Sequence, residues 1–182
     1  MVATNLMTVE ELDLLGGEER TIELFDGVPQ EHSGVSARHG YLGFNLGLAL
    51  GNYVLPLRLG VFFSSETQFV LSRDPDTVVK PDIAFIRMER MPLLEDHDRI
   101  SRIPPDFAVE IVSPTDRRAA IEDKIRRYQA AGVSLLWYVA PAQRTVTVYA
   151  LGQTPVVLGE DDTLDGGEVF PGFTLPVADI FA

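Results

Sequence analysis

Apolar and polar positions divide the chain into short strands and two longer helices. Thr8 stands three residues before Glu11 in an acidic amphipathic stretch, a capping box that predicts a brief helix within residues 1–20, ended by Gly16 and Gly17. Residues 21–29 read as strand around Asp26-Gly27, a dipeptide suited to a tight hairpin turn, so a first β-hairpin is expected. Between residues 36 and 54, Tyr41, Phe44, Leu48 and, just beyond, Leu55 keep helical spacing and predict a helix whose glycines allow close packing. Three strand-like runs follow at 61–71, 83–87 and 107–113, with the polar, proline-bounded stretch 88–105 as a loop between the last two. Ser113-Pro114-Thr115-Asp116 then offers caps for a helix from about 117 to 131, which Gly132 stops. Residues 134–140 are nearly all apolar, as a buried central strand requires, and 145–149 alternate as its half-buried partner. Residues 155–158 and 169–181 read as short edge strands or a docked tail, separated by an acidic turn at 160–167. The order ββ, α, βββ, α, ββ predicts a single mixed α/β (α+β) layer, with a helix crossing over between central strands. One domain over 1–182 is expected, with 1–20 as a short helical segment and 151–182 as an acidic C-terminal β extension.

Composition narrows the chemistry. Hydrophobic residues make up 46% of the 182 and charged residues 23%, a globular balance that excludes disorder, collagen and coiled coil. With no cysteine, disulfide frameworks, thiol catalysis and Cys-based zinc sites are excluded together. No apolar run is long enough to span a bilayer and the first fifteen residues carry acids where a secretion signal needs bases, so a soluble cytoplasmic protein without membrane association is expected. His32, His39 and His97 lack H-x-x-x-H spacing, and no G-x-S-x-G occurs, which sets zinc and serine hydrolases aside.

Two acids sit where strands should be apolar. In Phe107-Ala-Val-Glu-Ile-Val-Ser113, Glu110 shares a face with Ala108 and Val112, and Asp82 opens the run to Ile86. Burying a carboxylate costs several kcal/mol unless a metal, a cation or hydrogen-bond donors compensate. Asp82 capping a turn and Glu110 pairing with an arginine of the following helix are the structural alternatives. The chain has only two lysines, Lys80 and Lys124. Lys124 borders the stripe Ile121, Ile125, Tyr128 that should face the sheet, within reach of both carboxylates; Lys80, on the same strand face as Asp82, is its rival.

The stretch PDFAVEIVSPTDRRAAIEDKIRRYQAAGVSLLWYVAPAQRTVTVY, preceded by KPDIAFI, resembles the Uma family (Uma two), classed with restriction endonucleases. IELFDG, the helix opened by Ser36 to His39, and the ending GEVFPGFTLPVADIF extend the resemblance over nearly the whole chain. The most specific part is E-I-V-S-P, K-x-x-x-Y, G-V and W-Y-V-A-P in that order. The resemblance implies the fold of the PD-(D/E)XK nuclease superfamily, a restriction-endonuclease-like mixed β-sheet flanked by helices, here with an N-terminal β-hairpin. It implies a Mg²⁺ or Mn²⁺ site on Asp82 and Glu110, with nucleic acid, DNA foremost, as substrate. The strand lysine of that motif would fall on position 112, which holds Val112, so the resemblance assigns its role to Lys124 on the next helix. Glu23, His39 and Tyr128 follow as auxiliary site residues. A nuclease-fold module without turnover, acting in binding, is the competing class. Symmetric cutters are usually homodimers, and the C-terminal segment and the hairpin are the expected interface.

The formal charge of −12 at first opposes a polyanionic substrate. It belongs to the ends, however: residues 1–30 and 151–182 each carry −6, and the middle is neutral. There Arg117, Arg118, Lys124, Arg126 and Arg127 make the second helix locally basic, with Arg117 and Arg118 the candidates for substrate phosphates and a solvated helix face the bland alternative.

Overall fold

The structure, a computed structural model, describes residues 6–15, 22–31, 36–93, 99–113 and 116–182. Its centre is a six-stranded mixed sheet ordered β10 (Val156–Leu158), β9 (Thr145–Ala150), β8 (Leu135–Ala140), β7 (Phe107–Ile111), β6 (Ile83–Arg87), β3 (Gly60–Ser64). Only β7 and β8 pair in parallel. A parallel pair needs a long crossover, and helix α3 (Arg118–Ala130) provides it. The apolar run anticipated as a central strand is β8, buried along all but its last residue.

Alternation along the strands feeds two cores. Phe85, Phe107, Val109, Trp137 and Val139 face helix α2 (Ala37–Leu57) and the C-terminal segment. Ala84, Ile86, Ala108, Leu136 and Tyr138 face Ile125 and Tyr128 of α3. A second sheet, ordered β2 (Val28–Glu31), β1 (Ile22–Phe25), β5 (Thr77–Val79), β4 (Phe69–Ser72), adds Phe69, Leu71 and Val79 to that second core. Its other side buries Leu24 and Val78 against Val9 and Leu12 of α1 (Val9–Leu15).

Local signals translate directly. Thr8 Oγ1 accepts from the Glu11 N–H at 3.2 Å while Glu11 Oε2 accepts from the Thr8 N–H at 2.8 Å, the reciprocal capping box that starts α1. Asp26 (φ 53°) and Gly27 (φ 75°) turn β1 into β2, in the left-handed conformation that a two-residue hairpin loop demands. Gly16 and Gly17, Pro114 and Thr115, and His32 and His97 lie outside the described residues.

Several expectations need correction. The residues that announced α2, Tyr41, Phe44, Leu48 and Leu55, are exposed; the face packed on the sheet is Leu42, Leu46, Leu50 and Val54. Both sets have helical spacing, and a helix rich in apolar residues all round does not declare its inner face. Residues 61–71 form two strands in different sheets, β3 and β4, because Ser64, Ser65, Glu66 and Thr67 break the run. Instead of one mixed layer the described residues form three sheets, the third pairing β11 (Thr163–Asp165) with β12 (Thr174–Pro176). Strand β11 lies within the expected acidic turn, and the loop expected at 88–105 begins with a 3₁₀ turn, Met88–Leu93. The C-terminal tail is more than an edge: Phe170, Phe173, Phe181 and α4 (Val177–Ile180) complete the core under α2. Those aromatics are buried inside the molecule. Among the described residues no helix is long and apolar enough to cross a membrane.

Candidate active site

Strands β6 and β7 are antiparallel with Ile83 opposite Val109, so Asp82, one residue before β6, stands across from Glu110. Residues directly opposed on neighbouring strands share a face. The Asp82 N–H donates to the Val109 carbonyl at 3.0 Å, and the Ile111 N–H donates to Asp82 Oδ2 at 2.7 Å, pinning the aspartate to β7 by backbone alone.

Helix α3 covers that face and delivers two groups. Lys124 Nζ lies 2.8 Å from Glu110 Oε1 and 2.9 Å from Oε2, and the Tyr128 hydroxyl donates to Glu110 Oε1 at 2.5 Å. Positions four apart lie one above the other on a helix, so the K-x-x-x-Y spacing puts both on the same carboxylate. The second sheet adds a third acid. Leu24 faces the α1 core, so alternation turns Glu23 the opposite way, toward α3. Glu23 Oε1 accepts from Lys124 Nζ at 2.9 Å and from the Lys80 N–H at 2.6 Å. From the other side, the first turn of α2 brings His39 Nε2 within 3.0 Å of Asp82 Oδ1; Ser36 Oγ caps that turn by accepting the His39 N–H at 3.2 Å.

The structure thus gathers Asp82, Glu110, Lys124, Glu23, His39 and Tyr128. Lys80 sends its ammonium to Glu66 at 3.2 Å, so the lysine among the carboxylates is Lys124. Among the described residues no arginine pairs with Glu110, which is held by Lys124 and Tyr128. Arg117 and Arg118 are exposed at the start of α3, away from this cluster, and Arg118 Nε binds Glu122 at 2.8 Å. Arg126 holds Asp123, and Arg127 bridges Asp123 and Asp26, so much of the helix's positive charge is matched by neighbouring acids. The Ile111 N–H escaped the sequence reading, since a backbone donor has no residue signature.

Electrostatics set the protonation states. Burial, reinforced by the negative charges of Asp82 and Glu23 and opposed by Lys124, pushes the Glu110 carboxyl up to about 7. Burial also raises Asp82, against the Ile111 N–H, His39 and Lys124. Lys124 shifts upward although burial opposes it, because Glu110 and Glu23 sit beside it, so it remains an ammonium. Burial beside Glu110 keeps Tyr128 a protonated donor.

Glu23, Asp82 and Glu110 bring three carboxyl groups around Lys124, with His39 against Asp82, in a mostly buried site. Carboxylate oxygens are the donors that a hard divalent ion takes. Among the described residues no three His, Cys, Asp or Glu side chains converge into a ready-made metal cage. Mg²⁺ does not need one: it is commonly held by one or two carboxylates, completing its octahedron with water and substrate oxygens. Asp82, His39, Lys124 and Glu110 keep 17%, 16%, 13% and 11% of their side chains exposed, against 1% for Glu23. Asp82 and Glu110 are the residues whose hard oxygen donors could hold a divalent cation.

Comparison with known proteins agrees with this architecture. A crystal structure described as a putative nuclease from Anabaena variabilis superposes with a TM-score of 0.82, covering 96% of this chain and 97% of that one at 21% identity, which establishes a shared fold. No curated protein matches the chain. The model of the Uma2 family, described as "Putative restriction endonuclease", matches residues 9–178. With a core built on the same plan and a family match that spans all but its ends, the chain belongs to the Uma2 family of restriction-endonuclease-like proteins.

Proposed function

We propose that this protein is a Mg²⁺- or Mn²⁺-dependent endonuclease that hydrolyses phosphodiester bonds in DNA, with its centre at Asp82, Glu110 and Lys124. The observation that carries this reading is the convergence of Asp82 and Glu110, opposed on neighbouring strands, beside the Lys124 ammonium at a site that keeps some solvent exposure. A bound divalent ion would neutralise charge at the scissile phosphate and lower the pKa of a coordinated water.

The chain's own residues do the positioning. Asp82 and Glu110 hold fixed spacing because the β6–β7 ladder and the Ile111 N–H lock them. Lys124, kept cationic by Glu110 and Glu23, donates to the attacking water or to a phosphate oxygen; two neighbouring carboxylates make it a poor general base. Tyr128 fixes the Glu110 rotamer and His39 orients Asp82. Arg117 and Arg118, exposed at the head of α3, engage flanking phosphates. A chain of net charge −12 binds DNA weakly on its own, so engagement depends on the metal or on a partner supplying basic surface.

The competing reading is a binding module without turnover, favoured by the mutual pairing of Lys124, Tyr128 and the carboxylates. Incubating plasmid and single-stranded DNA with Mg²⁺ or Mn²⁺ decides between them. Metal-dependent cleavage that disappears in Asp82→Asn and Glu110→Gln supports the nuclease; equal activity in parent and variants overturns the site assignment, and no cleavage with either metal on any nucleic acid leaves the module.

A further inference from the structure

Among the described residues, one face of α2 stays largely uncovered, tied to the rest of the chain at its start, where the Tyr41 hydroxyl donates to the Ala182 carbonyl at 2.9 Å. Tyr41, Phe44, Leu48 and Leu55 follow one another by three, four and seven positions, with Gly51 filling the remaining place in the repeat. That is the a/d spacing by which one helix packs along another. Phe44 is 71% exposed and Leu55 67%, whereas Leu42, Leu46, Leu50 and Val54 on the opposite side are buried in the core. The stripe is therefore surplus to the fold.

We propose that this face pairs with the same face of a second copy of the chain, giving a twofold-symmetric dimer. With the twofold perpendicular to the helices the contact runs antiparallel, which sets the aromatic half of the stripe, Tyr41 and Phe44, against the slender half, Gly51 and Leu55. A Cβ placed on Gly51 would meet nothing within 4 Å, so space for a partner's ring exists there. Charge points the same way. The 21 residues of α2 contain no aspartate or glutamate, while the chain as a whole carries −12, so this is a surface on which two copies meet without opposing carboxylates. The same features disfavour other occupants: a DNA backbone or an anionic membrane calls for a row of lysines or arginines, which the stripe lacks.

Area is sufficient. At roughly 100 Å² for each of the four side chains, two copies would cover about 800 Å² of apolar surface. Asn45 and Asn52 flank the stripe as a polar rim, and with the rim the contact approaches the lower end of specific interfaces, about 1,200 Å² in total. The proposal is independent of the chemistry assigned to the carboxylate cluster, and its test reads mass, not activity.

Sedimentation of the full chain should give twice its 20.1 kDa mass, and Phe44→Glu and Leu48→Glu should each halve it with circular dichroism unchanged. Because the chain has no cysteine, Leu48→Cys gives a clean cross-linking probe: oxidation should convert it to a covalent dimer, while Arg118→Cys on the far helix should form no covalent dimer. A parent that sediments as a monomer at high concentration, Glu variants that remain dimeric, or equal cross-linking of both cysteines would each overturn the proposal.

Discussion

Lys124→Met is the sharpest test of how the acidic cluster is held together. The methionine keeps the length and apolar stem of lysine and removes only the ammonium, which lies 2.9 Å from Glu23 Oε1 and within 2.9 Å of both Glu110 oxygens, with the side chain 13% exposed. Removing one member of a buried ion pair typically costs about 3–5 kcal/mol, because the remaining charges lose their counterion without regaining water. Here Glu110 can escape part of that cost by taking a proton, since burial has already pushed its carboxyl up to about 7. The full penalty is therefore expected near pH 8 and a smaller one near pH 5.5. With an m value of about 2 kcal/mol/M, the urea midpoint should fall by roughly 2 M at the alkaline pH, with m unchanged. The double variant Lys124→Met/Glu110→Gln should recover a large part of the loss, because it removes the stranded charge as well. A penalty below about 1 kcal/mol at both pH values would place Lys124 among surface ion pairs and refute the picture of a dry, charge-loaded site.

Glu110 also makes the metal-free protein sensitive to pH. Its folded pKa lies above the unfolded value of 4.5, so the folded state holds the proton more tightly; this contribution is complete below 4.5 and is lost as pH rises to about 7, amounting to roughly 3 kcal/mol. Urea melts across that window should show the decline in the parent, not in Glu110→Gln, and Mg²⁺ should flatten it. If Arg117 and Arg118 carry the phosphate contacts, Arg117→Ala/Arg118→Ala should reduce the slope of log affinity against log salt by about 2 for duplex DNA; an unchanged slope would relegate both to solvated surface. In α2, Leu46→Ala should cost about 2–5 kcal/mol because Leu46 lies on the buried side, and a cost under 1 kcal/mol would contradict the orientation assigned to the helix.

What the sequence disclosed followed from local rules. The Thr8–Glu11 capping box, the Asp26-Gly27 turn and the apolar run at 135–140 each specify conformation within a few residues, and each formed as read. The Asp82–Glu110 pair was visible as acids placed in apolar strands, and the four-residue spacing from Lys124 to Tyr128 as one helical face. Non-local facts were not. Nothing around Glu23 distinguishes an exposed strand acid from one buried by a helix a hundred residues later, and only the docking of α3 onto the second sheet decides it. The inner side of α2 was ambiguous for a different reason, because two apolar stripes share one helix and only the sheet beneath selects between them. The division of residues 61–71 between two sheets likewise depends on pairing partners, not on β propensity.

Lys124 joins Glu110 of the large sheet to Glu23 of the small one. Its ammonium is therefore a strut between two separately hydrogen-bonded units, and the cluster is complete only when those units have met. A folding intermediate with the central sheet formed and the hairpin sheet still undocked would possess Asp82 and Glu110 in register yet lack the full charge environment around the lysine. Assembly of the site and docking of the sheets therefore become a single event.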